Sequence, residues 1–268
     1  MIPKIELASG LKTSRLAFGT ARLHYLRSRE RQRLLAAAAD LGFLHFDTAP
    51  SYGDGLAERE LGSFLRGRRS SVVVATKYGI PPNPISSALP SLAMPILGMR
   101  AIARRVGIGE AKWPPISASG LRYSVEHSLR RLNIDHVDVL FLHEPSIERL
   151  PQPDAVLDEF LKLRRRGLIR HFGLAGRWDG IAEISKTNPQ MYEIVQTKEA
   201  EWPSHSPPEI SYGAISRASQ SFGAQKIDAT LAVSSLRTAL ARRPHGVVVV
   251  SSGKENHLRD LAAAAINT

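Results

Sequence analysis

The 268-residue chain contains no cysteine, which excludes disulfides, thiolate nucleophiles and cysteine-held metal while leaving the redox compartment open. Aromatic residues are scarce, at 6%, and none is interleaved with the arginine clusters "RSRERQR", "RGRR" and "RRRG". A surface that binds single-stranded nucleic acid needs rings on which bases stack. The formal net charge of +11 is therefore read as solvated helix faces, with no nucleic-acid partner. Long hydrophobic runs are missing as well. The most membrane-like stretch, "ALPSLAMPILGM" at 88–99, is broken by Pro90 and Pro95 and falls far short of the ~20 apolar residues a spanning helix needs. The amino-terminal "MIPKIELASG" has no basic region followed by an apolar core. Together these absences predict a cytoplasmic protein that does not associate with membranes.

What is present is a globular composition, 43% hydrophobic, and a recurring pattern. Short apolar runs at 16–19, 43–47, 72–77, 137–142, 171–175, 193–197, 210–212 and 246–251 read as eight strands. Amphipathic segments lie between them, among them "RERQRLLAAAADLG" ending at Gly42 and "PDAVLDEFLKLRRRG" ending at Gly167. Strands apolar on both faces that alternate with helices indicate a parallel sheet covered by helices. Eight such units predict a single α/β domain over 1–268, a (β/α)8 TIM barrel, whose functional residues gather at the carboxyl ends of the strands.

Four polar residues stand at those ends. Asp47 closes the second strand, Lys77 the third and His143 the fourth, while Tyr52 lies on the loop after the second, in "FDTAPSYGDG". A phenol titrates near 10 and is a poor acid at neutral pH; an adjacent ammonium lowers that value. The expectation is a proton-transfer site in which Tyr52 is the acid, Lys77 lowers its pKa, Asp47 keeps the lysine charged, and His143 orients a substrate oxygen.

With these residues in place the chain resembles the aldo-keto reductases, most closely a sugar or aldose dehydrogenase branch. The resemblance is carried by "GLKTSRLAFGTARL", "FDTAPSYGDGLAERELG", "VVVATKYG", "SLRRLNIDHVDVLFLHEP", "LRRRGLIRHFGLAG" and "LRTALARRPHGVVVVSSGKENHLRDL". It implies catalytic roles for Asp47, Tyr52, Lys77 and His143 in reducing a carbonyl of an aldehyde, ketone or aldose, or oxidising an alcohol, with a nicotinamide dinucleotide and no metal. For the cofactor it implies contacts from Gly19, Thr20 and Ala21 on the first loop, Gln196 against the nicotinamide amide, Tyr212 stacked on the ring, and His257 near the adenosine. Ser251, Ser252, Gly253 and Lys254 precede a helix, a setting that suits phosphate. Lys254, with no acid expected beside it, points to NADP, NAD being the alternative. The Gly-x-Gly of "GIGEAK" at 107–112 has no third glycine and no strand before it and reads as loop.

Two features depart from the pattern. Where the family carries a serine and an asparagine after the fifth strand, this chain has Ala175 and Gly176, which make no side-chain hydrogen bonds. A long Pro-rich and basic insertion at 81–120 is expected over the rim, where Arg100, Arg104, Arg105 or Lys112 would attract an acidic group. Two alternatives stay open: a nicotinamide-binding regulatory barrel with little turnover, and a phosphate-binding lyase in which Lys77 forms a Schiff base.

Overall fold

The computed structural model describes residues 1–88, 113–203, 205–215 and 228–266. Its first elements are two short strands, β1 (Lys4–Ala8) and β2 (Leu11–Ser14), paired as an antiparallel hairpin. The barrel strands follow: β3 (Leu16–Gly19), β4 (His45–Asp47), β5 (Val73–Tyr78), β6 (Val137–His143), β7 (Ile169–Gly176), β8 (Ile194–Lys198), β9 (Ile210–Tyr212) and β10 (Val247–Val250). They close in chain order, with β10 beside β3 and every neighbour parallel. All eight expected strands are therefore barrel strands. The hairpin was not expected, because "KIELASGLKTS" alternates with charges and shows no apolar run.

Between the strands lie α1 (Ser28–Asp40), α2 (Leu56–Leu65), α3 (Pro84–Ala88), α4 (Ala118–Leu132), α5 (Pro153–Arg165), α6 (Trp178–Thr187), α7 (Ala229–Arg242) and α8 (Glu255–Ile266). α1 and α5 stop just ahead of Gly42 and Gly167, as the sequence predicts. α4 begins at Ala118, where the Ser117 side chain accepts a hydrogen bond from the Gly120 backbone N–H at 3.2 Å and caps the first turn. The β8–β9 connection carries no helix among its described residues. No described helix is long and apolar enough to cross a membrane.

Strand parity sorts the apolar side chains into two layers. Phe18, Phe46, Val74, Leu140, Leu142, Phe172, Leu174 and Val248 face outward and pack under the helices. Ala17, Ala75, Val139, Phe141, Ala175, Ile194, Ile210, Val247 and Val249 face the lumen, where Leu7 and Leu11 of the hairpin join them and plug the amino-terminal end. Burying each of these two leucines contributes roughly 1.5–3 kcal/mol.

A polar residue, His45, shares this layer on β4. His45 is fully buried, and neither ring nitrogen has a hydrogen-bond partner among the described residues. Burial pulls its pKa down to about 4, against the opposing pull of Asp47 and Asp138. The unfolded chain, with an ordinary histidine near 6.5, then binds a proton that the folded chain refuses, so the stability is intact above about pH 6.5 and declines as pH falls toward 4. A difference of about 2.5 pH units corresponds to roughly 3 kcal/mol. Urea unfolding at a series of pH values should show this loss in the parent and a curve flatter by about that amount in His45→Leu. Parallel curves for the two proteins would clear the lumen histidine of any part in acid sensitivity.

Candidate active site

The parity that fills the lumen also aims the polar residues. On β4 the inward series runs His45, Asp47; on β5 it runs Val73, Ala75, Lys77; on β6 it runs Val139, Phe141, His143. β8 brings Gln196 two residues after Ile194, and β9 brings Tyr212 two residues after Ile210. Cross-strand register sets His143 beside Ala175 and Ala175 beside Gln196. The carboxyl rim thus gathers Asp47, Lys77, His143, Gln196 and Tyr212 around one cavity of about 700 Å³.

Lys77 and Asp47 form its floor, each only 3% exposed. The ammonium donates to both carboxylate oxygens at 2.7 Å and to the Thr48 carbonyl at 3.0 Å. These three bonds use all three of its N–H donors. Burial pulls the Lys77 pKa down, and the Asp47 carboxylate opposes that pull. The Thr20 hydroxyl donates to the Asp47 carbonyl at 3.0 Å, and Gln196 Nε2 donates to Asp47 Oδ2 at 2.9 Å.

Tyr52 reaches this floor from a turn of unusual handedness. Gly53, Asp54 and Gly55 all have positive φ, at 59°, 54° and 89°, a conformation that glycine enters freely and aspartate tolerates. Asp54 is fixed there by accepting bonds from the Asn83 backbone N–H at 3.0 Å and the Ser86 hydroxyl at 2.6 Å. The Tyr52 ring then lies with its centre 5.1 Å from the Lys77 ammonium and meets the His143 ring edge-on at 6.2 Å between centres.

The expected lowering of the Tyr52 pKa is not what this arrangement produces. Burial, together with the Asp47 and Glu144 carboxylates, pushes the phenol well above its ordinary value. Burial is the largest cause, and Lys77, with all three of its donors engaged, has none left for the hydroxyl. Burial, with the Lys77 and Arg149 cations, also pushes His143 well below the usual imidazole value. Both rings are therefore neutral across the physiological range.

Of the residues expected at the cofactor, Gly19, Ala21, Gln196, Tyr212, Ser251, Ser252, Gly253 and His257 line the cavity. Two do not. Thr20 is buried and holds Asp47 from behind; Lys254 is exposed and outside the lining. Its backbone N–H is already bonded to the Ser252 hydroxyl at 3.1 Å, and the Ser251 hydroxyl donates to the Gly19 carbonyl at 2.9 Å. Nor is the region free of acid, since Glu255 follows Lys254 and Asp260 lines the cavity. Sequence reasoning also missed Arg22, Glu144 and Lys198, all of which line it. For Glu144 the signal was its place directly after His143 in "LHEPS".

The rim is tied together by Arg149. Its guanidinium donates to the carbonyls of Gly79 (2.5 Å), Pro114 (3.2 Å), His143 (3.1 Å) and Glu144 (2.5 Å). It thereby joins the end of β5, the end of β6 and the segment leading into α4. The two described ends of the 81–120 insertion are both anchored: the first by Asp54 and by Arg59, which donates to the Ser87 carbonyl at 2.8 Å, the second by Arg149 and by Tyr78, whose hydroxyl accepts from the Ser117 N–H at 3.1 Å. Neither end lines the cavity. The middle, with Arg100, Arg104, Arg105 and Lys112, lies outside the described residues. Among the described residues no three His, Asp or Glu side chains gather into a metal-ligating group.

The chain is similar to several known proteins. The chain is 33% identical over 175 residues to D-threo-aldose 1-dehydrogenase of a Pseudomonas species, covering 62% of the chain and 51% of that protein. It is 29% identical over 185 residues to L-galactose dehydrogenase of Arabidopsis thaliana, covering 65% and 49%. The chain thus spans about half the length of these curated relatives. Among solved structures, glycerol dehydrogenase from Gluconobacter oxydans superposes with a TM-score of 0.70 at 18% identity, over 97% of this chain and 89% of that one. An aldo-keto reductase from Klebsiella pneumoniae, in complex with NADPH, superposes with a TM-score of 0.66 at 20% identity, over 99% and 90%. The family model of the aldo/keto reductases matches residues 15–198, from the first barrel strand to the sixth and well over half the chain. The protein belongs to the aldo/keto reductase family.

Proposed function

We propose that the protein is an oxidoreductase that interconverts a carbonyl (aldehyde, ketone or aldose) and the corresponding alcohol, with NADP as cofactor and Tyr52 as the proton donor. The observation that carries this reading is a phenol and an imidazole meeting edge-on above a buried ion pair, all facing one cavity. The cavity also fits a ligand with amide donors. Gln196 gives its N–H to Asp47, which can only accept, and this leaves Gln196 Oε1 buried without a partner. Such an orphan acceptor suits the carboxamide of a nicotinamide.

When bound, the reduced nicotinamide supplies a hydride to the carbonyl carbon. The chain's own residues manage the oxygen. His143, uncharged, hydrogen-bonds the oxygen without competing for the proton that Tyr52 gives it. As the phenol loses that proton, the Lys77 ammonium over its ring is the fixed charge that stabilises the phenolate. Asp47 holds the ammonium in place and supplies the counter-charge before reaction. Lys77 is unsuited to Schiff-base chemistry, because all three of its protons are engaged. NADP is favoured over NAD by the cations near the proposed adenosine end: Arg22 in the lining, and Lys254 exposed beside Ser252 and Gly253. Ala175 and Gly176 favour a second reading, a barrel that binds cofactor but turns over little. Cofactor binding without turnover over a panel of aldehydes, ketones and aldoses would select it.

Tyr52→Phe removes only the acidic oxygen, so it should leave NADP binding intact while lowering kcat by roughly 10²- to 10⁴-fold. Steady-state kinetics with Lys77→Met and the double variant should show losses far from multiplicative, since both changes disable one proton transfer. A Tyr52→Phe enzyme working at the parental rate would end the proposal. Because the Tyr52 pKa is raised and that of His143 lowered, kcat for reduction should be level from about pH 6 to 9; an inflection there that vanishes in either variant would contradict the assigned charge states. For the cofactor, thermal shifts at equal concentration should be larger with NADP than with NAD. A tenfold preference corresponds to ~1.4 kcal/mol at saturation, and equal shifts would remove the preference.

A further inference from the structure

The wall of the cavity beyond His143 is built differently from what Ala175 and Gly176 lead one to expect. Glu144 has φ of 50°, a left-handed conformation that is strained for a glutamate. Arg149 holds it there by bonding the Glu144 carbonyl at 2.5 Å, and the Glu144 N–H donates to the Ala175 carbonyl at 2.7 Å. The turn carries the glutamate side chain across the end of β7. A Cβ added to Gly176 would lie 2.8 Å from Glu144 Oε2 and 2.9 Å from its Cα. Glu144 therefore fills the space in which a side chain at position 176 would stand. One carboxylate oxygen, Oε2, accepts the Arg177 backbone N–H at 3.1 Å. The other has no hydrogen-bond partner among the described residues, and the side chain lines the cavity together with Gln196. Burial, together with the Glu144 carboxylate, pushes the phenols of both Tyr52 and Tyr212 up. Lys198, a cation that also lines the cavity, is paired with Glu201 at 2.9 Å.

The wall thus offers two acceptors, the free oxygen of Glu144 and Gln196 Oε1, with Gly176 between their strands and no competing side chain there. We propose that Glu144 replaces the missing side chains at 175 and 176 as the residue that holds the nicotinamide carboxamide, accepting an N–H of its amide nitrogen. This rests on the cofactor reading above. It also gives the strained turn at 144 a purpose and removes the reason for treating Ala175 and Gly176 as marks of a disabled site.

Binding to the full chain without substrate tests this, using calorimetry with three probes: NADP, deamido-NADP, in which a carboxylate stands for the carboxamide, and 2′-phospho-ADP-ribose, which has no nicotinamide. Parent protein should bind NADP at least about tenfold tighter than deamido-NADP, because the Glu144 carboxylate repels the second carboxylate. Glu144→Gln, which keeps shape and removes charge, should narrow that ratio by improving deamido-NADP binding, a gain that misfolding cannot produce. Glu144→Ala should weaken NADP about tenfold and leave 2′-phospho-ADP-ribose unchanged. Equal affinities of the parent for NADP and its deamido form, an unaltered ratio in Glu144→Gln, or a loss in Glu144→Ala shared equally by 2′-phospho-ADP-ribose would each overturn the assignment. A parent that binds none of the three probes would instead fail the cofactor reading, and this inference with it.

Discussion

Everything at the rim is organised around the ion pair of Asp47 and Lys77. Two charges taken out of water cost several kcal/mol each, and their mutual attraction offsets this only when the geometry is good and the remaining donors and acceptors are satisfied. Here they are: both carboxylate oxygens meet the ammonium, the third ammonium donor finds the Thr48 carbonyl, and Gln196 caps Oδ2. The partners come from β4, β5, β8 and the loop after β4, so the pair also locks strands from opposite sides of the barrel. Loss of either charge would leave the other stranded in the lumen.

This pairing explains why the phenol above it stays protonated. A free ammonium would pull the Tyr52 proton off; a neutralised one presents almost no net charge at rest and becomes influential only as negative charge grows on the phenol. In the proposed reaction, resting and reacting demands would thereby be separated: the proton would be retained until an acceptor arrives, and the compensating charge would need no rearrangement when it leaves. Glu144 adds to the same effect from the other side, since its carboxylate opposes ionisation of Tyr52.

Most of the barrel was legible because a strand buried on both faces announces itself as an apolar run, and all eight such runs became barrel strands. Asp47, Lys77 and His143 were legible for a related reason: each stands at the carboxyl end of such a run and keeps its inward parity. The hairpin at Lys4–Ser14 was not, because it has one wet face and its charges hide the alternation. Arg149 was invisible for another reason, and Glu144 was marked only by its place after His143. Their importance comes from backbone geometry, a left-handed turn and four converging carbonyls, which no residue spacing encodes. The charge state of Tyr52 was misjudged because spacing places Lys77 near it but does not reveal that Asp47 uses up the lysine's donors.

The anchoring of the 81–120 insertion has a consequence for how this scaffold can vary. Asn83, Ser86 and Ser87 are tied down on one side, Pro114 and Ser117 on the other. These bonds are made by the two feet alone and do not depend on the sequence that joins them. Tyr52, carried by the turn that Asp54 anchors, and His143, whose carbonyl Arg149 holds, are thereby insulated from substitutions between the feet. Selection is free to treat that span as an interchangeable part while the rim stays constant.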